Sequence, residues 1–293
     1  MIRELASEFS ALSLTEISRT ICELLPWKRP SGHLKNHECR LLLERLRDQG
    51  WLSLPEVRAL GGRGPRRVSA TRRSDPQPEI TGSPRHFEPL QLTLIAPGQK
   101  AESRLWREYV ERYHYLGDQV PFGAHLRYLV RSGAAGEQVL ACLQWSSPAW
   151  KMAARDRWIG WSSQQRARNL QLIVNNSRFL LLPWVRVPGL ASKILSRCVR
   201  RLPQDWESRY GYRPLLLETL VDASRFAGTC YRAANWIPLG HTQGRGRMDR
   251  DHAAHQRAPK VLYVYPLCRH APERLRSAEA PSYTEPPEDC DSL

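Results

Sequence analysis

Apolar positions Leu14, Ile17, Ile21, Leu24 and Leu25 recur at three- and four-residue spacing, which predicts a short amphipathic helix. Ser13 or Thr15 would cap it and Pro26 would stop it. After Pro30-Ser31-Gly32, a second helical stretch places Cys39, Leu42, Leu43 and Leu46 on one face and Arg40, Glu44, Arg47 and Asp48 opposite, ending at Gly50. Trp51-Leu52-Ser53-Leu54 alternates like one short strand. Residues 1–55 therefore have the outline of a helix-turn-helix or winged-helix module, with Lys35 and Arg40 at the start of the second helix facing a nucleic acid. A small helical docking or dimerisation domain fits the same pattern.

Residues 56–88 show no hydrophobic periodicity. Gly61-Gly62-Arg63-Gly64-Pro65-Arg66-Arg67 and the prolines that follow predict a basic linker. Beyond it, 89–270 reads as a mixed α/β domain. A helix over 101–116 precedes two strands near Ala124–Arg131 and Gln138–Trp145, whose glycine-containing connection predicts an antiparallel hairpin. A Trp- and Arg-rich stretch leads to a helix-like Gln164–Leu172. Asn175-Asn176-Ser177 then turns into a strand over Arg178–Val185. A helix opening at Pro188-Gly189, a strand Leu215–Val221, a helix from Ser224 to about Asn235, and strands near Ile237–His241 and Val261–Tyr265 complete the order. Residues 271–293, rich in Pro, Glu and Asp, predict a disordered acidic tail.

Charge changes this picture from an indifferent α/β domain to one with a polyanionic partner. Lys and Arg total 44 against 29 Asp and Glu, a net of +15 over 293 residues. Residues 1–80 contribute +4 and the last 23 contribute −4, so 81–270 carries the whole excess. No apolar run approaches the roughly 18 residues of a membrane span, and the amino terminus lacks a signal-peptide core. Together with seven scattered cysteines and no CxxC pair, this predicts a cytoplasmic protein with reduced thiols, no membrane partner and no structural zinc.

Three sets of residues carry candidate chemistry. Trp145, Trp150, Trp158 and Trp161 interleave with Lys151, Arg155, Arg157 and further arginines, and Gly244-Arg245-Gly246-Arg247 offers a second basic loop. With Arg178, these supply phosphate attraction and base stacking for DNA or RNA. Glu218 and Asp222 lie four apart on one predicted strand, hence on one face. With Asp156 they would hold Mg²⁺ for phosphodiester cleavage, or else pair with Arg178, Arg225 or Arg245. His252 and His255 lie in the basic loop without a companion ligand and read as solvated.

The element order resembles that of the acetyltransferase fold, a mixed central sheet with flanking helices. Arg186-Val187-Pro188-Gly189-Leu190-Ala191 has the spacing of that fold's pyrophosphate-binding strand-to-helix step. The resemblance implies that Arg186, Gly189 and Ala191 would hold acetyl-CoA or a related acyl-CoA, with Tyr231 as general acid. A tight turn and a packed tyrosine are the alternatives. Longer strings add a second resemblance: Trp145 to Lys151, Arg155 to Trp161, Asn175 to Trp184, and Leu217-Glu218-Thr219 through Trp236. Over about 12–270 the chain resembles the DruA family of the Druantia anti-phage system. That implies a role in phage defence or mobile-element biology, with other defence-system proteins as partners, and it supplies no reaction. Three functions stay open: a nucleic-acid-binding platform, an acyltransferase, and a metal-dependent nuclease or transposase-associated enzyme.

Overall fold

The computed structural model describes residues 2–8, 14–25, 27–28, 34–54, 68–119, 121, 124–134, 138–242 and 260–279. The chain divides into two compact units, Met1–Arg67 and Val68–Leu293. The small unit contains α1 (Ile2–Glu8), α2 (Leu14–Leu24) and α3 (Asn36–Asp48). Ala6, Ile17, Ile21, Cys22, Cys39, Leu43 and Leu52 form its core, as amphipathic stripes must when three short helices bury one another. The sequence missed α1, and Trp51–Leu54 is not a strand. The β-structure described in this unit is one antiparallel bridge, Lys28 to Leu34.

The large unit begins inside the stretch read as a linker. Arg72–Ser74 forms a 3-10 turn, held by Glu108, whose carboxylate accepts from the Thr71 amide (2.9 Å) and hydroxyl (2.6 Å). Strand β1 (Ile80–Thr81) follows, then the 3-10 turn Pro84–Phe87, with Phe87 buried. Only its disordered-looking composition suggested a linker. Helix α4 (Lys100–Tyr113) holds this stretch, with the Tyr109 hydroxyl donating to Arg73 O (3.2 Å) and the Tyr113 hydroxyl to Ser74 O (2.9 Å).

One seven-stranded sheet organises the unit. Its strands are β2 (Leu90–Leu94), β3 (His125–Ser132), β4 (Val139–Ser146), β5 (Ile173–Leu181), β7 (Leu216–Asp222), β8 (Ile237–His241) and β9 (Lys260–Pro266), in the spatial order β2-β3-β4-β5-β7-β9-β8. The pair β5–β7 is parallel and the other neighbours are antiparallel. A short strand β6 (Val185–Arg186) pairs in parallel with β1. Helices α5 (Ala153–Ile159) and α6 (Ser163–Asn169) lie between β4 and β5. Helix α7 (Leu190–Tyr210) links β6 to β7, α8 (Thr229–Ala233) links β7 to β8, and α9 (Ala271–Ser277) follows β9.

Several boundaries depart from expectation for physical reasons. Asn175-Asn176-Ser177 lies inside β5 rather than in a turn, because Asn176 satisfies its own amide internally, donating to Gln144 O (3.2 Å) and Arg178 O (3.1 Å). The helix expected from Ser224 is only α8; the preceding residues fold into a turn in which Asp222 accepts from the Ser224 amide and hydroxyl. The expected tail starts as α9, because Leu275 buries against Ile159, Trp161 and Leu216, with Ala278 packed beside them. Residues 280–293 lie outside the described residues.

Candidate functional site

The sheet opens where its one parallel pair ends. β5 and β7 pair from Ile173–Leu216 to Asn176–Thr219 and no further. β5 then continues on β4 to Leu181, and β7 continues on β9 to Asp222, so the two central strands diverge. At the same level Gln144 pairs with Arg178 while Trp145 pairs with Asn176, leaving Ser177 as the extra residue of a β-bulge. A bulge bends its strand and raises local twist, which accounts for the divergence starting here.

Tyr231 of α8 stands at the divergence. Its hydroxyl donates to Asn176 Oδ1 (2.7 Å), and the Thr219 hydroxyl donates to Asn176 O (3.0 Å), so one asparagine ties both strands to the helix. The ring meets Phe179 of β5, Trp236 and Tyr263 at centroid distances of 6.3, 5.2 and 5.8 Å. Burial pushes the Tyr231 phenol up, so it stays protonated and donates to Asn176. The short helix α8 starts at Gly228, whose φ is +69° and where any side chain would collide with the Tyr263 hydroxyl.

After β5 the chain turns through β6 into α7. Gly189 is the helix cap in the left-handed region, φ +80°, a conformation glycine adopts without strain. The Leu190 amide bonds Val187 O (3.1 Å), and the first intrahelical bond is Lys193 N to Gly189 O (3.2 Å). The amides of Ala191 and Ser192 are thus the first-turn donors that a helix leaves without an internal acceptor. Pro188 and Gly189 are exposed, and a Cβ at Gly189 would meet only Pro84 Cγ, at 3.7 Å. Arg186 is largely exposed, with Glu79 at 3.5 Å. First-turn amides and the helix dipole suit an anionic group here, with Arg186 close by in sequence but paired with Glu79, and Pro188 contributes no amide.

The carboxylates read as metal ligands are engaged otherwise. Arg155 is fully buried and stands between them. Its Nη1 donates to Glu218 Oε2 (3.1 Å) and Oε1 (3.3 Å), and its Nε and Nη2 donate to Asp156 Oδ1 (3.0 Å each). Ala149 O and Trp150 O accept its remaining hydrogens (2.9 and 3.4 Å). Desolvation raises the Glu218 pKa, opposed by Arg155. Asp222 instead holds the turn after β7 and has Arg225 at 3.7 Å; its hydrogen bonds to Ser224 pull its pKa down. A guanidinium therefore occupies the space a shared metal would need, and among the described residues the Glu218 partner is Arg155 rather than Arg178 or Arg225. Among the described residues, no three His, Cys, Asp or Glu side chains come together to hold a metal ion.

Two of the predicted nucleic-acid residues lie in the interior of the large unit. Arg155 is consumed in the buried ion pair. Arg178 is buried too, donating to Gly117 O (3.0 Å) and Ser177 O (2.8 Å). In the small unit, Arg40 pairs with Glu44 (3.2 Å) and Lys35 precedes α3. Lys151 and Arg157 are exposed. Arg245 and Arg247, with His252 and His255, lie outside the described residues. Sequence reasoning missed Asn176, because polar residues in tandem read as a turn, and missed His114 and Tyr115, which follow a helix without a motif around them.

No curated protein matches the chain. Among solved structures, spermidine N-acetyltransferase from Vibrio cholerae in complex with CoA and spermine overlaps 61% of this chain and 95% of its own at 11% identity and TM-score 0.37. A chimera of the Vibrio cholerae SpeG spermidine N-acetyltransferase and hSSAT overlaps 60% and 96% at 11% identity and TM-score 0.40. The strand order, the bulged divergence and the strand-to-helix step, rather than these overlaps, carry the description of the core as acetyltransferase-like. The family model for Druantia protein DruA matches residues 46–266, three quarters of the sequence, and the chain belongs to this anti-phage defence family.

Proposed function

We propose that the large unit binds an acyl-CoA and serves as an acyltransferase within the defence system. The observation that carries this reading is the divergence of β5 and β7, with β5 leading through β6 to an exposed left-handed glycine at the first turn of α7. Arg186, Gly189 and the amides of Ala191 and Ser192 would hold the pyrophosphate. A bound acyl-CoA supplies an activated thioester carbonyl. The chain's own contribution is to exclude water around Phe179, Tyr231 and Trp236, and to keep a proton on the Tyr231 hydroxyl for donation to a leaving group. Other proteins of the defence system would be its partners.

Calorimetry with acetyl-CoA on the full chain tests this. Gly189→Asp puts a charge in the cradle and strains the cap, and it should weaken binding by at least about tenfold while the fold persists. Undetectable binding by the native protein, or binding indifferent to Gly189→Asp, refutes the reading.

A second reading, a nucleic-acid-binding component, is favoured by Trp150. It is 57% exposed, flanked by exposed Lys151, with the Arg166 guanidinium 5.4 Å from its ring. Trp150→Ala together with Lys151→Ala should then weaken oligonucleotide binding, and binding should fall steeply with salt. Salt-insensitive binding contradicts it.

A further inference from the structure

A polar and aromatic cluster lies at the mouth of the divergence, apart from Tyr231 and the α7 cap. Arg178 sits two residues beyond the last β5–β7 pair, Asp222 closes β7, and Lys260 faces Asp222 across β9. Arg225 and Phe226 follow at once, their amides bonded to Asp222 O (3.1 and 2.9 Å). From the other side, the segment after α4 brings in His114 and Tyr115. Tyr115 stacks on His114 (4.9 Å), meets the Phe226 ring (5.6 Å) and lies under the Arg225 guanidinium (5.2 Å). Tyr115 is 36% and Phe226 52% exposed, so two aromatic rings stand together at the surface beside the opening.

The charge there is lopsided. Arg225 and Lys260 lie beside Asp222, which its own turn already engages, and Arg178 lies near Asp118. Arg178 is the costly member: buried, it is met by two backbone carbonyls, and among the described residues no ion pair forms at it. The nearby carboxylate, Asp118, is shared with Arg107 (2.7 Å) and Arg127 (3.6 Å), so Arg178 stays under-compensated and an arriving anion would relieve that cost. His114 belongs to the same design. Burial and the charges of Arg178 and Lys260 hold its pKa down at about 4, so the ring is neutral. Its Nδ1 accepts from the Leu116 amide (3.2 Å), which puts the ring hydrogen on Nε2 as a donor.

We propose that this mouth binds a nucleotide, with the base against Tyr115 and Phe226 and the phosphate between Arg178 and Arg225. Stacking on exposed rings is sequence-tolerant, and guanidinium groups grip phosphate in two-point fashion. The proposal goes beyond acyl-CoA binding, which concerns the α7 cap.

The test uses the full chain and a short fluorescein-labelled oligodeoxythymidylate, read by anisotropy at several salt concentrations. The double variant Tyr115→Ala with Phe226→Ala should weaken binding about tenfold or more. Arg225→Ala should lower the salt slope by about 0.7, one single-strand phosphate contact. Phe226→Glu, which removes the ring and adds a charge that repels phosphate, should weaken binding as strongly, whereas Arg274→Ala on α9 should leave it unchanged. Competition by thymidine 5′-monophosphate identifies a free nucleotide as ligand; variant-sensitive binding without such competition identifies a single strand. Absence of binding by both probes, or binding indifferent to the three mouth variants, overturns the proposal. Acetyl-CoA calorimetry on the same samples keeps the two claims apart: loss of one binding with retention of the other assigns the failure to one site.

Discussion

Replacing Arg155 with Met isolates the buried ion pair from any binding role. The guanidinium makes contacts of 2.9–3.4 Å with Glu218, Asp156, Ala149 O and Trp150 O. Asp156 would keep other partners, since Trp161 Nε1 donates to it (3.0 Å), the Met152 amide donates (3.1 Å) and Arg166 lies at 3.5 Å. Glu218, with a side chain 1% exposed, would lose its counter-charge. Removing one partner of a buried pair costs about 3–5 kcal/mol. For a domain of this size that corresponds to a drop in melting temperature of about 6–20 °C. Burial already raises the Glu218 pKa in the folded state, so the folded protein takes up that proton before the unfolded chain does. The variant should therefore be most destabilised at pH 7.5 and recover toward pH 5, where an orphaned Glu218 protonates. Urea titrations followed by tryptophan fluorescence at both pH values provide the assay. A loss under about 1 kcal/mol at pH 7.5, or one independent of pH, would refute the pairing.

Other consequences follow from the same geometry. Tyr231→Phe keeps the ring packing and removes one hydrogen bond to Asn176, so stability should fall by only about 1 kcal/mol, while acyl transfer falls at least about tenfold at unchanged acetyl-CoA affinity. His114, held at about 4 against its ordinary 6.5, contributes stability present above pH 6.5 and lost as pH falls toward 4; His114→Asn should flatten that part of the stability–pH curve, and an NMR titration should find no imidazole protonation above pH 5. Burial opposes ionisation of Glu108, yet hydrogen bonds from Thr71, Arg104 and Ser74 hold its carboxyl down at about 2, so its contribution is full above pH 4.5 and lost as pH approaches 2. Glu108→Gln should accelerate tryptic cleavage at Arg72 and Arg73 by freeing the turn.

The sequence exposed what local patterning can expose. Alternation located the hairpin β3–β4, the apolar runs located β7 and β9, and Pro188-Gly189 marked the start of α7. What it hid depends on partners far along the chain. Arg155 looks like a solvent-facing cation until Glu218, 63 residues away, is packed against it. Helix α5 escaped notice for the same reason, since it buries an arginine where a pattern reader expects an aliphatic residue. Asn176 reads as a turn former, yet its amide answers Gln144 O, Arg178 O and the Tyr231 hydroxyl from within a strand. The arginine count predicted a polyanion-binding surface, but two of the chosen arginines lie in the interior. The charge excess says how much cation there is, not which of it is free.

Hydrogen–deuterium exchange of the full chain with and without acetyl-CoA reads out whether the head of α7 holds the acyl-CoA. Protection is expected in two segments, Val185–Lys193 at the head of α7 and Ser177–Leu181 on the free side of β5, with α9 unchanged. Exchange that acetyl-CoA leaves unaltered at Val185–Lys193 would contradict that binding.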